Sequence, residues 1–224
     1  DGSVSAPGLR KAYPTPAVQG LTQRLTGSTR YSSTVTAKNH QLELLIESGL
    51  QGLALDFPAP LQKAASTTLP LKMLLATLPS ADPLLLRDQI KISLGTAISA
   101  HYLRQKTVEK NAQWGVTRGG IGVNVPPPLP DSGLAAQVEL QSLNVDEWQR
   151  VSNEIAAAGS ANAAPARTAD VLDISQYVEP EIMAAHAKTL FVMGKQLDNV
   201  VVGASRQKET WQANIDSNQA TSQP

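Results

Sequence analysis

Cysteine is absent from the 224 residues, which removes disulfides, cysteine-ligated zinc, iron–sulfur clusters and a cysteine nucleophile together. Aromatic residues are scarce, at 4% of the chain, so a core has to be built from aliphatic side chains. Charge is thin as well: 17% of residues are charged, against about 25% in an average globular protein. Solubility therefore falls to Ser, Thr, Asn and Gln. The 19 basic and 19 acidic residues cancel, which argues against bulk attraction to nucleic acid or an acidic membrane surface. No apolar run approaches the roughly 18 residues of a spanning helix. The leucine run Leu84-Leu85-Leu86, for one, ends at Arg87 and Asp88. At about 150 residues per domain, the length fits one large domain or two small ones.

What is present falls into five stretches. Residues 1–38 read as an extended basic arm, with Pro7, Pro14 and Pro16, four glycines, eleven Ser/Thr residues, and five basic residues against Asp1. Such a composition describes either a disordered, solvated tail or a basic arm that orders on a neighbour or on phosphate, with Arg24 and Arg30 as the arm's candidate contacts to phosphate or an acidic partner. Residues 39–110 carry helical spacing. Leu42, Leu45, Ile46, Gly49, Leu50 and Leu53 share one helical face after the cap Asn39. Pro70 and Asp82-Pro83 open two further helices, the second turning Leu86, Ile90, Leu94, Ala97 and His101 inward.

Residues 111–143 form a Gly/Pro-rich loop or small β element flanked by Trp114 and Arg118, both candidate interface residues. Ile121, Val123 and Val125 alternate as a short strand does, with Val138 and Leu140 as its partner. The prolines from Pro126 to Pro130 are extended. Residues 144–213 are helical again. Asn144 with Glu147 three residues on is a capping signal, and Trp148, Val151, Ile155 and Ala158 form the buried stripe. After a linker holding Pro165, a long C-terminal helix is expected from Glu179-Pro180. Met183, His186, Leu190, Met193, Leu197, Val200, Ala204, Gln207 and Trp211 recur there at alternating steps of three and four, the period of a supercoiled seam. Leu190, Met193, Leu197, Val200 and Trp211 are the expected docking residues. Residues 214–224 are a polar tail. The expected fold is mainly α: a helical bundle with a Gly/Pro-rich central loop that could hold a short β-hairpin, an extended N-terminal arm and a long C-terminal helix.

Signatures of chemistry fail one by one. Gly194-Lys195 is followed by Gln196 instead of Ser or Thr, so no P-loop forms. Ser205 and Lys208 have the S-x-x-K spacing without its companion motifs. His40, His101 and His186 are scattered, with no acid at helical spacing to complete a metal site. Asp170 with Asp173 and Glu179 with Glu181 have structural explanations. Gly119-Gly120-Ile121-Gly122 reads as a turn or a close backbone contact. No catalytic residue, cofactor or metal is expected.

These features point to a non-enzymatic structural subunit of a larger assembly, in a virion, a phage or a secretion-type machine of a bacterial envelope. It would work by helix packing and by arm and loop contacts with copies of itself or other subunits. Nucleic acid would be touched through the basic arm only. The alternative is an autonomous exported helical binding or effector protein acting through the 111–133 loop. An enzyme ranks third, because titratable groups do not cluster.

Overall fold

The computed structural model describes residues 1–13, 15–38, 41–161, 175–207 and 210–218. It is 56% strand and 16% helix, which overturns the helical bundle. The elements are β1 (Gly2–Ser5), α1 (Ala6–Ala12), α2 (Pro16–Gln23), β2 (Leu25–Lys38), β3 (Gln41–Ser48), β4 (Leu53–Leu55), β5 (Leu71–Leu78), β6 (Leu85–Leu94), β7 (Ile98–Thr107), β8 (Gly115–Val123), β9 (Gly133–Asn144), α3 (Val145–Ala161), α4 (Ser175–Val178), β10 (Ile182–Val192), β11 (Lys195–Gln207) and β12 (Thr210–Asp216). The strands form one sheet whose spatial order follows the chain, with β4 off the path beside β2. Neighbours are antiparallel except at β8–β9 and β9–β10, which are parallel. No helix among the described residues is long and apolar enough to cross a membrane.

Three expectations are corrected here. The arm is not extended: Ser5 and Thr15 side chains cap α1 and α2, each with a proline in its first turn, before the Thr-rich β2. The helices expected between 39 and 106 are β3, β5, β6 and β7. Their apolar residues lie on both faces of the sheet, with Leu45, Leu74 and Leu103 opposite the main apolar face, and this two-sided pattern imitates a spacing of three and four. The long C-terminal helix is the hairpin β10–β11 followed by β12. Met193 and Gly194 both take positive φ and form its two-residue turn, with Val192 opposite Lys195, as a tight hairpin requires. The seam residues therefore sit on opposite sides of a fold in the chain. Leu190 pairs with Leu197 across it, and Val200 with Ala187.

One helix begins where the capping signal places it. Asn144 Oδ1 accepts from Glu147 N at 3.1 Å, opening α3. The strand through Ile121 and Val123 also forms, but Val123 pairs with Val138 in parallel register, so the join is a crossover and not a β-hairpin, and Leu140 pairs with Ala187 of β10. The glycines of β8 serve the crossover that follows. A Cβ on Gly120 or Gly122 would collide with the Pro128 or Val125 carbonyl oxygen, so their absence of side chains lets residues 124–132 lie directly on the sheet. Asn39, His40, Pro14, Pro165, Asp170, Asp173, Lys208 and residues 219–224 lie outside the described residues.

Candidate functional site

Strand register sorts the side chains of this sheet into rows running across the strands. One row reads Ile46, Met73, Ile92, Ala100, Ile121, Ala136, Met183, Ala204 and Ala213 from β3 to β12, each residue directly opposite the next. Two residues along the strands lies a second, reading Leu71, Leu94, Ile98, Val123, Val138, Ala185, Val202 and Ile215. The row between them points the other way: Glu47, Lys72, Ser93, Ser99, Gly122, Gln137, Ala184, Gly203 and Asn214. In these rows one face carries apolar side chains and the other polar or small ones, whereas toward Leu45, Leu74 and Leu103 the second face is apolar as well.

The β9–β10 connection lies on the apolar face and walls it on two sides. On one side α3 stands over the row of Ile98 and Val123. Beneath it is a cavity of about 550 Å³ lined by Pro60, Leu61, Ile98, Val123, Val138, Leu140, Leu143, Val145 and Trp148, with Gln149 and Ser152 the polar members. Trp148 is turned into place by its indole N–H, which donates to the Ala59 carbonyl at 3.1 Å. Asp146, in the first turn of α3, accepts from Met193 N at 2.9 Å and Gly194 N at 3.2 Å, which ties the hairpin tip to the helix. Arg24, capping α2, bonds the Asp56 carbonyl at 3.0 Å and the Glu154 carboxylate of α3.

On the other side the wall is α4, built by polar groups. Arg104 holds Asp88 with two bonds, Nε to Oδ1 at 2.9 Å and Nη2 to Oδ2 at 2.6 Å, and both side chains are almost fully buried. Its third arm donates to the Tyr177 hydroxyl at 2.9 Å. The Tyr102 hydroxyl donates to the Tyr177 carbonyl at 2.8 Å, and Gln176 Oε1 accepts from Val116 N at 2.9 Å. The rings of Tyr102 and Tyr177 meet edge to face, 5.2 Å apart and at 80°. Burial, and next the neighbouring Tyr177, push the Tyr102 phenol up to about 12. Burial opposes the charge of Arg104, but its bonds to Asp88 and Tyr177 outweigh that and raise its pKa.

The polar face offers less. His101 Nε2 stands 3.1 Å from Gln89 Oε1, and burial together with Lys91 and Arg118 holds its pKa below the ordinary value. His186 Nδ1 lies 2.9 Å from Glu139 Oε2. Among the described residues no group of three His, Asp or Glu side chains could hold a metal ion. A larger cleft, about 970 Å³, lies at the β1–β2 side with a mixed lining that includes Arg30, Tyr31, Glu47 and Lys72. Its polar lining offers nothing that selects a ligand, so the smaller, apolar cavity is the better candidate.

The residues singled out from sequence do not gather in one place. Arg24 joins helices inside the chain, and Arg30 lines the open cleft. Trp114 lies under two cations, Arg104 at 4.9 Å and Lys106 at 5.0 Å. Arg118 is on the polar face near His101. Met193 is 88% exposed at the hairpin tip, and Val200 is 2% exposed in the core. Trp211 lies on the edge strand opposite Arg206. Asp88, Tyr102, Arg104 and Tyr177 were not singled out. The alternation of Asp88, Ile90 and Ile92 against Arg87, Gln89 and Lys91 was the available signal.

The YhdP protein family matches residues 1–223, and the chain belongs to that family. No curated protein and no solved structure matches it. Nothing in the family match points to a virion or a phage, and the helical scaffold on which that expectation stood is replaced by a sheet.

Proposed function

We propose that this YhdP-family chain works without chemistry, as a structural section whose apolar cavity beneath α3 holds an apolar ligand such as an acyl chain. The observation that carries this reading is that cavity, with almost no polar lining. Its volume of about 550 Å³ falls within the roughly 300–1,000 Å³ of small-molecule sites. Each methylene withdrawn from water contributes about 0.8 kcal/mol, so ten of them supply about 8 kcal/mol before the cost of association. Dodecanoate should displace a fluorescent fatty acid from the folded chain, and Val138→Asp, which puts a charge on the cavity floor, should weaken binding at least tenfold. No displacement from the wild-type chain, or equal binding by a folded Val138→Asp variant, would reject this reading.

A second observation supports the role of a section in a larger assembly. Strand β12 is exposed at all seven positions, Thr210 to Asp216, with Trp211 46% and Ile215 67% exposed. It pairs with β11 on one side and contains no proline or bulge to discourage pairing on the other. A strand of a neighbouring subunit fits this edge. Light scattering coupled to size exclusion should give a mass above 23.8 kDa that falls in Asn214→Pro. A strict monomer at both low and high salt would remove self-assembly through β12.

A further inference from the structure

We infer that the open edge of β12 takes the open edge of β2 in a second copy of this chain, so that copies join head to tail into one continuing sheet. This rests on the reading of β12 as a pairing edge and adds to it the strand that fills it.

The opposite border of the sheet carries a stretch of the same kind. In β2, Leu25–Gly27 pair with β4 and Ser28–Tyr31 with β1. Ser32–Lys38 pair with β3 and with no other strand among the described residues, and all seven are exposed. Strand β12 offers seven exposed residues as well. Neither stretch contains a proline, and each holds one charge, at its end: Lys38 in β2 and Asp216 in β12. Natural sheets blunt such edges with proline, with charge or with a covering loop. Two edges left unblunted and equal in length are suited to each other.

Direction and facing follow from the topology. Nine joins lie between β2 and β12, and two of them are parallel. The remaining joins, odd in number, each reverse the chain, so β12 runs opposite to β2. A second copy set beside β12 in the same orientation therefore presents its β2 antiparallel, the more stable ladder. The faces agree too. Ser33 lies opposite Ile46 and Val35 opposite Leu44, so Ser33, Val35 and Ala37 share the face of the apolar rows, which Ala213 and Ile215 end at β12. Setting the two stretches against each other brings Trp211, Ala213 and Ile215 beside Ala37, Val35 and Ser33. Asp216 then comes opposite Ser32, on the face of the exposed Arg30 two residues further, a diagonal that a long side chain spans. Pairing β12 with a second β12 brings no cation to Asp216, since that strand has none. A contact between unlike edges is heterologous, so blocking either edge stops the assembly.

The test blocks the two edges separately and then mixes the variants. By light scattering coupled to size exclusion, Asn214→Pro and Val35→Pro should each fall to the mass of one chain. An equimolar mixture should give a dimer, because one variant keeps β2 open and the other keeps β12. A folded Val35→Pro variant with the wild-type mass, or a mixture that stays monomeric, overturns the β2–β12 contact and leaves β12 to pair elsewhere. A monomeric wild type overturns both readings. Should a proline variant not fold by circular dichroism, cysteines decide, since the chain has none of its own. Val35→Cys mixed with Ala213→Cys should then give an oxidised dimer that neither gives alone. A cross-link in Ala213→Cys alone, or none in the mixture, overturns the contact.

Discussion

The walls formed by α3 and α4 cover the same face of the same sheet by opposite means. α3 is a helix of seventeen residues that presents apolar side chains and leaves a cavity beneath them. α4 is one turn that presents a tyrosine held by a buried Arg–Asp pair, with a smaller cavity of about 140 Å³ beside Gln176. Burial of apolar area has no direction, so α3 gains stability without a fixed fit. Charge-assisted bonds fix geometry, so α4 is placed exactly where Arg104 and Tyr102 require it.

The comparison can be broken most severely at Asp88. Asp88→Ala leaves Arg104 buried and unpaired, which should cost about 3–5 kcal/mol, read as a lower denaturant midpoint. Asp88→Leu with Arg104→Met should recover most of it, because the charge is then removed altogether. On the α3 side, Leu140→Ala should cost about 2–3 kcal/mol, toward the lower end for a buried leucine, because an existing cavity simply grows. Equal losses at Asp88 and Leu140 would erase the distinction between the walls. A smaller effect is expected at Trp148→Phe, about 1 kcal/mol for the lost bond to Ala59, again by denaturation. The finest test uses pH. Tyr102 is held neutral to about 12, whereas an unfolded tyrosine ionises near 10. Between those values the native state keeps the proton that the unfolded chain loses, so this group's contribution is complete below pH 10 and falls as pH rises toward 12. Denaturation at pH 9 and 11 should show that fall in wild type and a smaller one in Tyr102→Phe.

The two walls were also unequally legible in the sequence. α3 carries a cap at Asn144 and an apolar stripe through Trp148 and Val151, local signals that belong to the helix itself. The α4 wall depends on Asp88, Arg104 and Tyr177 meeting from distant positions, and no local pattern reports that. The sheet was obscured by composition. Leu and Ala dominate β5 and β9, and both are strong helix formers in isolation, yet pairing on a pleated, half-buried surface decides their conformation here. The apparent heptad from Met183 to Trp211 shows the same thing: it runs through three alternating strands, β10, β11 and β12, with a turn at Met193-Gly194, and their apolar residues sum to a spacing near 3.5. In the 118–128 stretch the alternation of Ile121 and Val123 made a strand legible, whereas the placement of Gly119, Gly120 and Gly122 inside β8 and the contact of Gly120 with the chain's own Pro128 were not.

The order of the strands bears on how this sheet is made. Since nearly every strand pairs with the one before it, most strand pairings close only the loop between chain neighbours, which costs less entropy than pairing distant strands. A strand leaving the ribosome finds its template already in place, so synthesis can extend the sheet without waiting for distant partners. The two parallel joins interrupt this progress, because β9 and β10 must each travel back along the sheet before pairing. The slow step of biogenesis should therefore fall between residues 124 and 182, in the part of the chain that also builds the two walls.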